Sequence, residues 1–132
     1  MIRETKLMQV LVIDDAKAMR MILRQILSSL GFEVTEARNG REGLEQLKRM
    51  GHLELALVDS TMPDMDGIAF VRAVRANPAY DAVRLMMVTS EDEPDSIRIA
   101  LQAGANEYLT KPFARPAILE KLQRMGVVPT CV

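Results

Sequence analysis

The sequence has little cysteine, few aromatic residues and no long apolar run. A single cysteine, Cys131, cannot form an internal disulfide, which favours a reducing, cytosolic location. Its place close to the C-terminal end predicts a spectator thiol. The stretch from Met1 to Gln9 lacks the apolar core of a signal peptide, and no apolar run is long enough to cross a bilayer. The sequence therefore predicts a cytosolic protein.

The sequence also lacks an excess of either charge. It carries 17 basic and 18 acidic residues, for a formal net charge of −1. Nucleic-acid and membrane-surface binding are therefore not expected, because both depend on clustered positive charge. Its 132 residues, 48% apolar and 27% charged, fit one soluble domain with one sizeable core.

Short apolar runs alternate with segments of helical periodicity along the chain. Continuous apolarity, as in Met8–Ile13, indicates a strand buried on both faces of a parallel sheet. The predicted strands are Met8–Ile13, Glu33–Ala37, Leu55–Asp59, Leu85–Val88 and Glu107–Leu109. The predicted helices are Ala16–Leu30, Arg41–Met50, Gly67–Arg75, Pro94–Gly104 and Ala114–Met125. Such alternation predicts an α/β fold, in which helices cover both faces of a parallel sheet.

The first helix shows the clearest apolar stripe. We expect its core-facing side chains to be Met19, Ile22, Leu23, Ile26, Leu27 and Leu30. Arg20 and Arg24 are expected on the opposite face, and Gly31 is expected to end the helix in a left-handed conformation.

Polar residues follow the ends of four predicted strands. They are Asp14 and Asp15, Asp59, Thr89 and Ser90, and Lys111. Ligands of open α/β sheets bind outside the carboxyl ends of the strands, so these side chains are expected to converge there. Taken alone, Asp14 or Asp15 is better explained as a cap of the first helix, because Asp is a favoured N-cap residue. The convergence of four segments favours a site.

Three carboxylates and one lysine give this predicted corner a charge of −2. Crowded carboxylates either raise a pKa or recruit a cation. Oxygen ligands without cysteine or histidine suit a hard ion such as Mg²⁺, which would bring the charge to zero. A metal and a lysine could then hold a phosphorylated Asp59. Thr89 is placed to hydrogen-bond a phosphoryl oxygen.

Four segments resemble the receiver domain of two-component response regulators. They are V-I-D-D at residues 12–15, D-S-T-M-P-D-M-D-G at 59–67, M-V-T-S at 87–90 and K-P-F at 111–113. The resemblance implies a flavodoxin-like three-layer sandwich with sheet order 2-1-3-4-5. It implies a receiver domain over residues 6–125, with tails at 1–5 and 126–132, acting as a stand-alone regulator.

The resemblance also implies roles for single residues. Asp59 would accept the phosphoryl group and Lys111 would bind it, with a cis bond from Lys111 to Pro112. Mg²⁺ would be ligated by Asp15, Asp59 and the backbone carbonyl of Thr61, with Asp14 acting mainly through water.

Two further residues would form the switch. The resemblance implies that Thr89 moves towards the phosphoryl group and that Tyr108 moves inward behind it. For Tyr108, ordinary packing on a strand is the alternative.

Thr61 and Ser90 differ from the chemotaxis members of the family, which often carry Asn and Ala at these positions. Both would flank the phosphoryl group, and they are therefore expected to set how long it survives. Our hypothesis is that Ser90 hinders the attacking water.

These inferences predict a phosphorylation-activated response regulator, plausibly in chemotaxis or motility, rather than an enzyme acting on other substrates. Its partners would be a sensor histidine kinase and a downstream protein such as a flagellar motor switch component, and a monomer is expected. A phosphorelay shuttle to a histidine phosphotransfer protein is the alternative. An aspartyl-phosphate hydrolase is less favoured, because Thr61 stands where such hydrolases carry a second acid.

Overall fold

The computed structural model describes residues 8–60, 62, 65–90 and 94–127. Its centre is a five-stranded parallel sheet in the order β2-β1-β3-β4-β5. The strands are β1 (Gln9–Ile13), β2 (Glu33–Ala37), β3 (Leu55–Asp59), β4 (Arg84–Thr89) and β5 (Glu107–Thr110). The predicted α/β, flavodoxin-like architecture and its strand order are confirmed.

Within the described ranges, five α-helices connect and cover the strands. They are α1 (Lys17–Ser29), α2 (Gly40–Met50), α3 (Gly67–Arg75), α4 (Pro94–Ala103) and α5 (Arg115–Arg124). Every helix and strand begins and ends within one residue of its predicted bound. A short 3₁₀ helix at Pro78–Tyr80, which was not predicted, follows α3. None of the helices described is long and apolar enough to span a bilayer.

The sheet separates two apolar cores, as expected for strands that are apolar on both faces. Alternate side chains of β3 point to opposite sides: Leu55 and Leu57 join one core, Ala56 and Val58 the other. The first core is closed by α1 and α5, and the second by α2, α3 and α4. All five residues of β3 are buried, so this central strand fixes the position of Asp59 at its end.

The predicted inward face of α1 is partly wrong. Leu23 and Leu27 are buried, but Ile22 is 47% exposed, and Arg20 is more covered than predicted. At about 100° per residue, Arg20 projects only about 20° from Leu27, whereas Ile22 lies about 100° from Leu23. The buried stripe is thus centred further towards Arg20 than the apolar residues alone suggest. The left-handed end at Gly31 is confirmed by its φ of 95°.

Candidate functional site

The carboxyl ends of β1, β3, β4 and β5 carry the polar side chains that the sequence singled out. Asp14 follows β1, Asp59 and Thr89 are the last residues of β3 and β4, and Lys111 follows β5. Asp14 is 1% exposed, and Asp59 and Thr89 are 6% exposed. Buried polar groups at the end of an otherwise apolar strand are costly unless they are satisfied, so this edge is the candidate site.

The acidic corner consists of Asp14, Asp15, Asp59 and Lys111. One carboxylate oxygen from each aspartate lies within 4.8 Å of the other two, and Asp15 is exposed to solvent. The Lys111 Nζ atom is 3.4 Å from Asp14 Oδ2 and 3.5 Å from Asp59 Oδ1. The ammonium group therefore bridges the two buried carboxylates and offsets part of their mutual repulsion.

Asp14 is held through its side chain and its backbone, and its backbone N donates to the Ala37 carbonyl at 3.1 Å. Its Oδ1 accepts a hydrogen bond from the Ala16 backbone N at 2.8 Å, and its carbonyl accepts one from Arg20 Nη1 at 2.8 Å. Lys111 contacts the other carboxylate oxygen. The capping alternative does not hold, because Ala16 is the N-cap of α1 and no side chain caps that helix. Asp14 instead orders the loop between β1 and α1.

Arg20 is a supporting residue of the corner that the sequence analysis placed on the wrong face. Besides the Asp14 carbonyl, it contacts Glu36 Oε1 at 3.1 Å, and Arg24 contacts the other oxygen of Glu36. Burial alone would raise the pKa of Glu36, but hydrogen bonds and charge from Arg24 and Arg20 outweigh it and lower that pKa. An ionised Glu36 thus keeps Arg20 in reach of the Asp14 loop. In the sequence, this role of Arg20 could have been recognised from its position in the first turn of α1, shortly after Asp14 and Asp15.

Gly67 is a second residue whose role was not predicted. A Cβ atom at this position would lie 2.5 Å from the Asp59 carbonyl oxygen and 2.9 Å from Met87 Sδ. Asp66, just before it, caps α3 by accepting a hydrogen bond from the Ala69 backbone N at 2.8 Å. The Asp-Gly pair therefore starts α3 directly against the end of β3. In the sequence, this close approach could have been recognised from the Asp-Gly pair that ends the motif at residues 59–67.

The acidic corner fits a magnesium ion. Adjacent and opposite ligands of an octahedral Mg²⁺ are about 3.0 and 4.2 Å apart, since each metal–oxygen bond is about 2.1 Å. The three carboxylate oxygens lie within 4.8 Å of one another, which is close enough for side-chain rotation or an intervening water to place them around one ion. The donor set contains oxygen alone, which matches a hard cation. Thr61, the expected fourth ligand, lies outside the described residues.

Of the two expected switch residues, Thr89 lies next to the corner and Tyr108 lies on the neighbouring strand, opposite Met87. Val88 is the register partner of Asp59, so Thr89 is one residue further along the neighbouring strand. The Thr89 carbonyl accepts a hydrogen bond from the Lys111 backbone N at 2.7 Å, which ties the ends of β4 and β5 together. Ser90 is exposed and Tyr108 is half-buried. The expected cis bond between Lys111 and Pro112 is present.

A cavity of about 190 Å³ opens behind Thr89. Its lining includes Met87, Thr89, Ile97, Ala100 and Tyr108. It lies between β4, β5 and α4, on the same face as the second core. This cavity, which both Thr89 and Tyr108 line, leaves room for side-chain movement between them.

Another cavity, of about 220 Å³, lies at the opposite edge of the sheet. His52 and Glu54 line it, and they pair with each other at 2.8 Å from Nε2 to Oε1. It shares no residue with the acidic corner and brings together no comparable set of reactive groups. The corner at the carboxyl edge therefore remains the candidate site.

Comparisons with known proteins show the family and the fold of this chain. The sequence model of the response regulator receiver domain matches residues 10–123. Chemotaxis protein CheY1 of Helicobacter pylori is 38% identical over 117 residues, which cover 88% of this chain and 94% of that protein. A CheY homolog of Campylobacter jejuni is 37% identical, with 88% and 90% covered. The structure of the Vibrio cholerae chemotaxis protein CheY4 superimposes with a TM-score of 0.85 at 32% identity, covering 91% of this chain and 99% of that one.

Proposed function

From the premise that this chain belongs to the response regulator receiver domain family, we propose that Asp59 accepts a phosphoryl group from a phosphohistidine of a sensor kinase. The observation that carries the proposal is the Lys111 ammonium group between Asp14 and Asp59. It supports the proposal because a cation next to a buried carboxylate can also hold the phosphoryl oxygens formed there.

In the proposed transfer, a carboxylate oxygen of Asp59 attacks phosphorus while the P–N bond to the donor imidazole breaks. The leaving imidazole nitrogen takes a proton from solvent, and the product on this chain is an acyl phosphate. Lys111 binds a phosphoryl oxygen, and Thr89 donates its hydroxyl to another. Mg²⁺, when bound by Asp14, Asp15, Asp59 and Thr61, supplies positive charge that offsets the phosphoryl oxygens.

The charge of the corner supports this reaction. Without a metal it is −2, and a divalent ion brings it to zero. Converting ionised Asp59 to its phosphorylated form then adds only about one negative charge. A corner with this charge tolerates the phosphoryl group once the ion is bound, so phosphorylation is expected to require Mg²⁺.

We propose that phosphorylation is read out through Thr89 and Tyr108. The cavity that both residues line supports this, because it can receive the Tyr108 ring when Thr89 moves towards the phosphoryl group. Shifting an equilibrium from 1:99 to 99:1 needs about 5.5 kcal/mol of differential stabilisation. Two or three charge-assisted hydrogen bonds, at roughly 1.5–3 kcal/mol each, are of that order.

The output is proposed to be binding to another protein in the cytosol, as a monomer, rather than catalysis on another substrate. Two of the relatives are named as chemotaxis proteins, which favours a flagellar motor switch component over a histidine phosphotransfer protein. Binding of the phosphorylated and the unphosphorylated chain is measured with a flagellar motor switch component and with a histidine phosphotransfer protein. This measurement distinguishes a regulator from a phosphorelay shuttle. Rapid multiple turnover of acetyl phosphate would instead favour a hydrolase.

The test is phosphorylation of the purified chain by acetyl phosphate, followed by intact mass. The wild type is expected to gain one phosphoryl group with Mg²⁺ and none with EDTA, and Asp59→Asn is expected to gain none. Asp95→Asn serves as the matched control, because Asp95 is 83% exposed and pairs with Arg98 on the same helix. Labelling of Asp59→Asn at the wild-type level would refute the proposal.

A further inference from the structure

Lys121 of α5 contacts both Tyr108 and the residue next to it. Its Nζ atom is 4.2 Å from the centroid of the Tyr108 ring and 3.3 Å from Glu107 Oε1. An ammonium group within about 6 Å of an aromatic centroid is attracted to the ring face. The Lys121 and Glu107 side chains are each only 14% exposed. This is a built contact rather than a solvated surface pair.

The position of β5 explains how Lys121 reaches the side chains of both Glu107 and Tyr108. Neighbouring residues of a strand project to opposite faces of the sheet, and β5 is an edge strand. Tyr108 packs on the second core, whereas Leu109 packs on the first, which α5 covers. Glu107 therefore projects on the α5 side, and Lys121 extends from α5 past the sheet edge to the ring.

Glu107 holds the ammonium group in this place. Its Oε1 contacts Lys121, while its Oε2 lies 3.8 Å from Arg124 Nε. Arg124 also lies 3.8 Å from Glu120 and is 58% exposed. Lys121 is thus the more covered of these two basic residues, and its ammonium group contacts the Tyr108 ring. Removal of Lys121 is therefore expected to affect Tyr108 directly, whereas removal of Arg124 is not.

We propose that Lys121, positioned by Glu107, holds the Tyr108 ring at the sheet edge and so sets the equilibrium of the switch. This inference rests on the proposed function, because it concerns the same Tyr108 movement. When the Tyr108 ring enters the cavity behind Thr89, it moves away from the Lys121 ammonium group. The contact therefore stabilises the unphosphorylated state and opposes activation. Lys121 is a positioning residue: it acts on the phosphorylation site through Tyr108.

The size of the effect follows from the strength of the contact. An exposed or partly covered cation–π pair changes an equilibrium by about two- to fivefold. When the inward state is a minor population, the apparent affinity for a ligand that selects it rises by the same factor. Lys121→Met should therefore bind a phosphoryl mimic about two- to fivefold more tightly than the wild type.

The experiment titrates beryllium trifluoride with Mg²⁺ while observing the Tyr108 ring by NMR of ¹³C-labelled tyrosine. A Tyr80→Phe background leaves Tyr108 as the single tyrosine of the chain. Lys121→Met removes the charge and keeps an apolar stem, and Lys121→Arg restores a cation. Glu107→Gln releases the ammonium group. Arg124→Gln is the matched control, because it removes a cation from Glu107 without touching the ring.

The expected result has two parts. In Lys121→Met the Tyr108 signal without beryllium trifluoride shifts towards its saturated position, and the midpoint falls about two- to fivefold. Glu107→Gln shows a smaller change, whereas Lys121→Arg and Arg124→Gln match the wild type. A merely structural role for Lys121 would lower the melting temperature without moving the midpoint.

Two outcomes would overturn the inference, and they are distinguishable. A wild type that responds normally, with an unchanged midpoint and ring signal in Lys121→Met, refutes the role of Lys121 alone. A wild type that gives no response to beryllium trifluoride refutes the proposed function and this inference with it.

Discussion

At the scale of single residues, the buried Asp14 carboxylate is fixed before any ion binds. The Ala16 amide and Lys111 occupy its two oxygens, and Arg20 holds its backbone carbonyl. Side chains held in this way lose little further freedom when a ligand binds, which supports the proposed phosphorylation. Asp15, by contrast, is exposed and can adjust to the ion.

The expected effect of Ser90 on the lifetime of the phosphoryl group also depends on a single side chain, its hydroxymethyl group. It is exposed and directly follows Thr89, at the rim of the proposed phosphorylation site. We expect phosphorylated Ser90→Ala to lose its phosphoryl group faster than the wild type, by several-fold, because a smaller side chain admits the attacking water. Decay of the acyl phosphate after removal of the phosphodonor measures this. Decay at or below the wild-type rate would exclude the steric explanation.

At the scale of secondary-structure elements, Arg75 joins the end of α3 to two loops at the amino edge of the sheet. Its Nε donates to the Gly104 carbonyl at 2.9 Å, and its two other nitrogens donate to the Tyr80 and Val83 carbonyls at 3.1 and 2.7 Å. Burial lowers the pKa of Arg75, and the charge of Asp81 counteracts this. The guanidinium group therefore fixes the C-terminal end of α4, while Ser96 and Ile97 of the same helix line the cavity with Thr89.

We expect Arg75→Met to reduce the free energy of unfolding by about 2–4 kcal/mol, because several carbonyl acceptors lose a charged donor. Arg75→Lys should recover only part of this, since an ammonium group cannot reproduce the planar fork of donors. Urea unfolding of the three proteins measures the difference. Equal stability of Arg75→Met and the wild type would show that these contacts contribute little.

At the scale of the whole molecule, folding itself assembles the acidic corner. Asp14, Asp59 and Lys111 come from distant parts of the chain and meet because two packed cores hold the parallel strands in register. An ion that binds this corner binds the folded state alone. Metal binding and folding are therefore coupled.

We expect Mg²⁺ to raise the melting temperature of the unphosphorylated protein. At a hundred times its Kd the ion adds about 2.7 kcal/mol, which corresponds to an increase on the order of 10 °C for a domain of this size. Thermal unfolding with and without Mg²⁺ tests this, with NaCl at matched ionic strength as the control. Asp15→Asn should show a much smaller increase. An equal increase in NaCl, or in Asp15→Asn, would contradict a specific site.

Much of this protein was predictable from its sequence, because the signals concerned are local. Uninterrupted apolar runs marked strands buried on both faces, and the polar residue after each run marked the edge at which Asp14, Asp59 and Lys111 meet. The details that the sequence did not predict depend on how elements lie against one another. Arg20 is drawn inward because β2 presents Glu36 beside α1, and Ile22 is left exposed by the same orientation. Only the tertiary structure set Lys121 against Tyr108, since that contact requires α5 to lie beside the edge strand β5.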